Sequence, residues 1–313
     1  MFHTPTSMKI YKWFLLNISI CSYLLDIFLT IIFIPLPIFP VLGGCALGII
    51  SPLRSFAPYL AWFIYTQLLS MCGISIMFAL LFRLAAIYGR TELFEKKSVM
   101  LGLVAFQVFY PLPLVYAVRW VHPNENEASL LVKRDHPYAY AFYSTHSCTL
   151  LAIDVAHLLP YFYLALALMT VIMLIYFVSI GFIARGLKRM KSVRSEKTYQ
   201  MHKTLSVSLL FQFIVPICMI VSADLTFSVA VLFKLSSAQT IFYVTFIFST
   251  LHTTANSVLM IALIRPYRDA LISLMHFGKY SKGKDTTAHS TFVLKTVAVQ
   301  RSTDVTRRKT IPF

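Results

Sequence analysis

Long apolar runs separated by short polar segments dominate the chain. Six of them are long enough to cross a hydrocarbon core of roughly 30 Å, which takes about 20 helical residues. They lie at about 13–35, 58–82, 98–118, 160–184, 205–232 and 239–264. Segments of alternating polarity, which mark membrane β-strands, are absent, so the pattern predicts an all-α polytopic membrane bundle.

The segments outside these spans differ in character. The apolar run from Leu36 to Ile50 is broken by proline and glycine, so we interpret it as a loop at the membrane interface. Residues 1–12 form a short N-terminal segment before the helical domain at 13–268. Residues 269–280 carry apolar side chains near one helical face, which indicates an amphipathic helix on the membrane. The polar tail at 281–313 is predicted to be disordered.

Composition excludes a soluble protein, because 58% of residues are hydrophobic, 13% are charged and the mean hydropathy is +0.72. The net charge of +16 does not indicate nucleic-acid binding, since the basic residues flank the apolar spans. With the N-terminus inside, 22 Lys and Arg lie on the cytoplasmic side and five on the other. By the positive-inside rule both termini are therefore cytoplasmic.

Two of the five cysteines, Cys45 and Cys148, fall in outer loops, and the other three lie within spans. Only these two share an oxidising compartment, so theirs is the one disulfide that the topology permits. Loop cysteines also remain free in many proteins, and the sequence leaves both states open.

Ionisable residues within the spans are few, and each marks a place where a helix faces protein or water. Asp26 and His252 come from different spans, and a contact between them is one hypothesis. Ser249 and Asn256 lie one turn on either side of His252 and extend it into a polar stripe. These four residues form either a structural hydrogen-bond network or a polar switch or ion site.

Two further features concern helix ends and bends. Arg83, at the inner end of the second span, either extends to the lipid phosphates or contacts a cytoplasmic partner or holds neighbouring helices closed. Pro216 should kink the fifth span, with Gln212 one turn earlier available for the freed backbone groups. This kink is either a hinge or static packing.

Signals for an enzyme are nearly absent. No paired histidines lie on a span, no glycine-rich phosphate loop follows a strand, and no nucleophile elbow occurs. A hydrolytic dyad of Asp26 and His252 would be the one arrangement within the spans with catalytic chemistry, and no sequence motif supports it. We therefore expect no catalytic activity, no metal site and no cofactor.

Several motifs occur in one order along the chain. They are Thr4-Pro5 with Met8, Lys12-Trp13 with Leu15-Leu16-Asn17 and Asp26, Pro35 and Pro40 with Gly44 and Gly48, Ser195 with Lys197-Thr198, Gln212 with Pro216, Ser249 with His252, and Arg265-Pro266-Tyr267-Arg268. This series resembles the nematode serpentine chemoreceptors of class H, from their second helix to the close of their seventh. The chain departs from the family at Leu80-Leu81-Phe82 before Arg83 and at Thr253 after His252.

The resemblance implies a seven-helix G-protein-coupled receptor that detects small environmental molecules in the plasma membrane of sensory-neuron cilia. Ligand would enter from the outer face among helices lined by Tyr65, Gln67, Tyr110 and Tyr243. A heterotrimeric G protein would meet the inner face at Arg83, the loop at 185–203 and Arg265, Pro266, Tyr267 and Arg268.

Only six spans are visible, and the resemblance lacks the family's first helix. We expect a clipped receptor, or else a truncated remnant that does not signal. A six-span transporter or channel is the alternative from another class, although no duplicated half or ring of charges supports it.

Overall fold

The computed structural model describes residues 10–39, 41–53, 56–193, 195–233, 235, 238–264, 267–269 and 271–273. Several sequence predictions fall outside these residues: the N-terminal motif at 4–8, Pro40, Arg265, Pro266, most of the amphipathic segment at 269–280, and the tail at 281–313. The described residues at 267–269 and 271–273 are helical.

Ten α-helices and three short strands are described. The helices are α1 (Tyr11–Ile27), α2 (Phe56–Ile87), α3 (Lys97–Phe109), α4 (Leu112–Val121), α5 (Glu125–Asp135), α6 (Pro137–Thr145), α7 (Val155–Val193), α8 (Glu196–Leu232), α9 (Gln239–Thr250) and α10 (His252–Leu263). The strands are β1 (Pro35–Pro37), β2 (Gly43–Ala46) and β3 (Cys148–Leu150). Single-turn 3₁₀ segments lie at Ser51–Leu53 and Thr91–Glu95.

Six helical units in the described chain are long and apolar enough to cross a membrane. They are Tyr11–Phe33, Phe56–Ile87, Lys97–Val121, Val155–Val193, Thr198–Leu232 and Gln239–Leu263. The predicted fold class, an all-α membrane bundle with six visible spans, is confirmed.

Two of these helices, α7 and α8, are much longer than their apolar runs. α7 has 39 residues, or about 58 Å at 1.5 Å per residue, against a hydrocarbon core of roughly 30 Å. Its final turns contain Arg, Lys, Met and Leu, which all favour helix. The helix therefore continues beyond the membrane and carries its basic residues out on the side opposite the strands.

The loop predicted at 36–50 contains two strands, which is a correction. β1 pairs with β2, and β2 pairs with β3 from the segment between α6 and α7, all antiparallel. Gly43 is required in this sheet, because a Cβ there would overlap the carbonyl of Thr149. Proline and glycine correctly excluded a seventh span, but β3, the distant partner that completes the sheet, could not be inferred from this segment alone.

The strands and helices α5 and α6 lie together at what we call the sheet end of the bundle, formed by residues 35–39, 41–53 and 122–154. α1 reaches this end through a π-helical turn at Phe28–Phe33. Ile34 then adopts a φ of 46°, an uncommon conformation for a β-branched residue, and turns the chain into β1. The other end of the bundle, with the start of α1 and the end of α2, is called the opposite end.

α2 is the central helix and packs against α1, α7 and α8. At the opposite end, Phe82 of α2 lies between the rings of Tyr11 and Phe14 of α1, with ring centroids 5.8 and 5.1 Å away. Such packing stabilises a membrane bundle by close contact, because burial from lipid gives little hydrophobic gain.

Candidate functional site

A cavity of about 90 Å³ lies inside the bundle just below the sheet. Residues of the β1–β2 hairpin and Thr149 line it at the sheet end, and α1, α2, α8 and α9 form its walls. Its walls are mainly apolar, with residues that include Leu25, Leu29, Phe33, Trp62, Tyr65, Ile220, Ala223, Asp224, Phe227, Phe242 and Phe246. Ser249 and His252 also line it, at the junction of α9 and α10.

One carboxylate faces this apolar space. The Tyr65 hydroxyl of α2 donates a hydrogen bond to Oδ1 of Asp224 in α8, at 2.8 Å. No described Lys, Arg or His side chain forms an ion pair with Asp224, since the described ion pairs all involve other carboxylates. The cavity therefore contains a negative group with a hydrogen-bond donor beside it and no described positive partner.

Aromatic rings surround the carboxylate. The ring centroid of Trp62 is 5.7 Å from that of Tyr65 and 6.1 Å from that of Phe227, which lies one turn after Asp224. Phe242 is 6.1 Å from Phe227 and stacks on Phe246 at 5.8 Å. These rings join α2, α8 and α9 into one aromatic wall.

A polar cluster lies where α9 ends and α10 begins. Nδ1 of His252 is 2.8 Å from the carbonyl oxygen of Ser249 and 3.3 Å from Oδ1 of Asp26. The Thr253 hydroxyl is 3.2 Å from Nε2 of the same ring. The structure thus brings together Asp26, Ser249 and His252, three of the four residues that the sequence analysis grouped as one network or switch.

Asn256, the fourth residue of the predicted stripe, is buried but does not join this cluster. Its side-chain oxygen and nitrogen have no hydrogen-bond partner among the described residues. Ser249 and His252 are also buried, so all three residues of α9 and α10 face protein.

Of the four predicted ligand contacts, only Tyr65 lines the cavity. Gln67 donates its amide to the carbonyl of Val108, and Tyr110 donates its hydroxyl to the carbonyl of Leu168. Tyr243 accepts a hydrogen bond from Gln239. Gln67, Tyr110 and Tyr243 do not line the cavity. The contacts of Gln67 and Tyr110 join neighbouring helices, whereas that of Tyr243 lies within α9.

Asp224 is the main residue that sequence reasoning missed here. Asp224 is ionisable and lies within the predicted span at 205–232, but none of the sequence motifs includes it. A carboxylate within a membrane span is by default a candidate functional residue. That rule alone would have identified Asp224 from the sequence.

Arg83 is not a surface residue, which corrects its assignment as a direct G-protein contact. It is only 4% exposed. Its Nη2 donates to the carbonyl of His202 in α8 at 3.3 Å, and the guanidinium lies 5.3 Å from the centre of the Tyr11 ring. The side chain points into the bundle and links α2 to α1 and α8. Of the three roles considered from the sequence, this contact fits the one in which Arg83 holds neighbouring helices together.

The Gln212–Pro216 feature also differs from expectation. α8 continues through Pro216, and the buried amide of Gln212 donates to the hydroxyl of Ser208 at 3.3 Å. Its side-chain oxygen has no hydrogen-bond partner among the described residues. Gln212 therefore does not donate to the backbone carbonyl that Pro216 leaves free, contrary to the prediction.

Cys45 and Cys148 form a disulfide across the β2–β3 pair. The bond joins the hairpin that covers the cavity to the segment before α7. Near this sheet, His122 packs on the Tyr59 ring at 4.6 Å between centroids, and burial lowers the pKa of its imidazole.

Tyr267 packs against the hydrophobic cluster at the opposite end, and Arg268 lies 3.9 Å from Asp269. Among the described residues no group of three or more potential metal ligands occurs.

A protein-family model described as "Serpentine type 7TM GPCR chemoreceptor Srh" matches residues 1–277. Comparison with curated proteins gives no match.

Proposed function

The chain belongs to the Srh family of serpentine seven-transmembrane chemoreceptors, and from this premise we propose that it binds a small environmental molecule and activates a heterotrimeric G protein. It is a multi-pass membrane protein of a receptor family, not of an enzyme family. The family match confirms the resemblance to class H drawn from the sequence motifs.

The ligand site is the cavity below the sheet. The observation that carries this assignment is an apolar, aromatic space that contains one carboxylate and lies inside the bundle. Ligand pockets commonly combine apolar walls with a few polar groups that fix orientation. The cavity also borders Ser249 and His252, so a bound molecule touches the cluster that includes Asp26.

Charge supports an orientation with both termini inside the cell. Exposed basic residues concentrate at the opposite end, on the last turns of α7 and near the start of α8, and they include Arg185, Lys188, Arg189, Lys191 and Lys203. This asymmetry favours the opposite end as cytoplasmic. The sheet end and its disulfide then face the oxidising exterior.

The G protein binds the cytoplasmic surface formed by these basic residues. The role of Arg265, Pro266, Tyr267 and Arg268 as G-protein contacts stays a prediction from the sequence. A positive surface suits an acidic segment of a partner and speeds its association. Since Arg83 is buried, it acts on this surface only through the helices that it joins. The family suggests the sensory-neuron cilium as the location.

The test is ligand-dependent G-protein activation in cells that carry the receptor at their surface. A panel of small volatile compounds should contain activators, and Lys188→Glu with Arg189→Glu should reduce activation by about tenfold. The matched control is Lys133→Glu with Arg134→Glu, two basic residues in α5 at the sheet end, which should leave activation unchanged.

A receptor that reaches the surface but activates no G protein with any compound would contradict the proposal. Failure to reach the surface would support a non-signalling remnant. Substrate flux in vesicles without G-protein activation would support the transporter.

A further inference from the structure

The chemistry of the cavity narrows the ligand class, on the premise that this cavity is the ligand site of the proposed receptor. Asp224 lines it, and the only described side chain that hydrogen-bonds to this carboxylate is Tyr65. A carboxylate within a membrane bundle is costly unless it is paired. In the described structure neither Lys nor Arg supplies that pairing.

The histidine of the cavity does not serve as the partner. The Nδ1 atom of His252 is directed to the carbonyl of Ser249 and to Asp26, and Nε2 is next to the Thr253 hydroxyl. The hydrogen-bonding groups of this ring are thus engaged by the cluster around Asp26. The carboxylate in α8 remains without a positive partner among the described residues.

The rings beside the carboxylate suit a cation as well. Trp62 and Phe227 are neighbours, and Tyr65 lies next to Trp62 on α2. Aromatic faces attract ammonium groups, with Trp the strongest, and such rings recognise alkylated ammonium in many sites. Their apolar surface also accepts the alkyl part of the same molecule.

Cavity size sets the upper limit on the ligand. An engineered cavity of ~150 Å³ holds benzene, so by proportion a space of this kind holds about four non-hydrogen atoms in 90 Å³. Larger ligands would need the walls to move.

We infer that the cavity recognises small aliphatic amines as ammonium ions, with the nitrogen on the Asp224 carboxylate and the alkyl groups against Trp62 and Phe227. An aliphatic amine is protonated at neutral pH, since its pKa is near that of lysine at about 10.4. The ammonium donates to Asp224 while Tyr65 keeps the carboxylate oriented.

The test is direct binding, which requires no G protein. The full chain in lipid nanodiscs is heated at constant pH and ionic strength with isopropylamine, isopropanol or acetone, three probes of similar size. A compound that binds only the folded state raises the unfolding midpoint, because it stabilises that state by RT ln(1 + [L]/Kd), and the shift at several concentrations therefore gives Kd. We expect isopropylamine to bind about 10- to 100-fold more tightly than either neutral probe, as the loss of a charged hydrogen bond implies.

Variants identify the site. Asp224→Asn should lose this preference for the amine, and Asp224→Glu should retain part of it. The matched control is Asp135→Asn. Asp135 is an exposed carboxylate of α5 that pairs with Arg134, and its replacement should leave the preference for the amine unchanged. If Asp224→Asn fails to fold, Asp224→Glu and the comparison of the three probes on the unmodified chain still decide the question.

Equal stabilisation by the neutral probes, absence of any amine effect, or an amine effect that survives in Asp224→Asn would each overturn the inference. Activation by neutral compounds without amine binding would reject the amine and leave the receptor proposal intact. Amine binding without G-protein activation would support the amine site and reject the receptor proposal.

Discussion

Oδ1 of Asp26 lies 3.3 Å from Nδ1 of His252, which connects α1 to the first residue of α10. The same nitrogen is 2.8 Å from the Ser249 carbonyl. A carbonyl only accepts, so Nδ1 must carry hydrogen, and the ring orientation is fixed at the junction of α9 and α10. The ring also lines the cavity that we propose as the ligand site, so the same side chain borders that space and lies close to Asp26.

Removal of either partner should destabilise the bundle. Asp26→Ala and His252→Ala should each lower the free energy of unfolding by about 1–3 kcal/mol, because each leaves a polar partner in the interior. A double-mutant cycle should give a coupling energy of about 1 kcal/mol. Denaturant titration in mixed micelles measures all three variants, and strictly additive losses would contradict a direct interaction.

Arg83 should control signalling more than stability. Its guanidinium is buried and tethers α2 to the His202 carbonyl of α8. Replacement of a buried charge by an apolar side chain is often neutral or stabilising. Arg83→Met should therefore change the free energy of unfolding by less than about 1 kcal/mol, yet raise ligand-independent G-protein activation because the tether is lost. Unchanged basal activation would show that the contact is only packing.

Tyr11 provides the control for this tether. Its ring faces Arg83, but its buried hydroxyl has no hydrogen-bond partner among the described residues. Tyr11→Phe keeps the ring and should be neutral or stabilise by up to about 1 kcal/mol, with basal activation unchanged.

Loss of the Cys45–Cys148 disulfide should weaken the cover of the cavity. Cys45→Ser and Cys148→Ser should each lower the free energy of unfolding by about 2–4 kcal/mol, the usual effect of removing such a bond. The double variant should lose no more than either single one. Peptide mapping without reduction checks the bond itself, and recovery of both thiols in free form would refute it.

The sequence predicted those features that depend on the length of an apolar run or on a charged residue within it. Run length identifies a membrane helix because the bilayer fixes how many residues are needed. Charge inside a span marks a protein-facing position, which is why Asp26 and His252 could be suspected of meeting.

The remainder depends on how each helix is rotated about its axis. α2 is apolar all round, so its sequence does not show which face holds Tyr65 and which holds Gln67. For the same reason nothing local indicated whether Arg83 turns outward to phosphates or inward to His202. The sheet was hidden for another reason: Gly43 is opposed by Leu150, about a hundred positions away in a different loop.

The size of the cavity should set the preferred amine. Ile220 is buried and lines one wall. Ile220→Ala should lower the free energy of unfolding by about 2–4 kcal/mol and enlarge the space. The strongest binder in a series of primary amines should then move to a longer chain by one or two carbons. Binding measured by unfolding midpoint tests this, and an unchanged optimum would show that Ile220 does not limit the ligand.

The last prediction concerns pH at the sheet end. Burial lowers the pKa of His122 below its ordinary value of about 6.5, although a hydrogen bond with the backbone of Leu150 partly opposes this shift. As pH falls from about 6.5 to the folded-state pKa, the unfolded chain takes up the proton before the folded one does. The free energy of unfolding therefore decreases across that window and changes no further below it, as far as this group is concerned.

His122→Gln keeps a hydrogen-bonding side chain beside Thr149, whose hydroxyl is 3.3 Å from Nε2 of His122, but removes the titration. The free energy of unfolding of the unmodified chain should drop relative to this variant between pH 7.5 and pH 5.5. Since other groups titrate equally in both proteins, the difference between the two curves isolates the histidine. Parallel curves would mean that the imidazole is hydrated and titrates alike in both states.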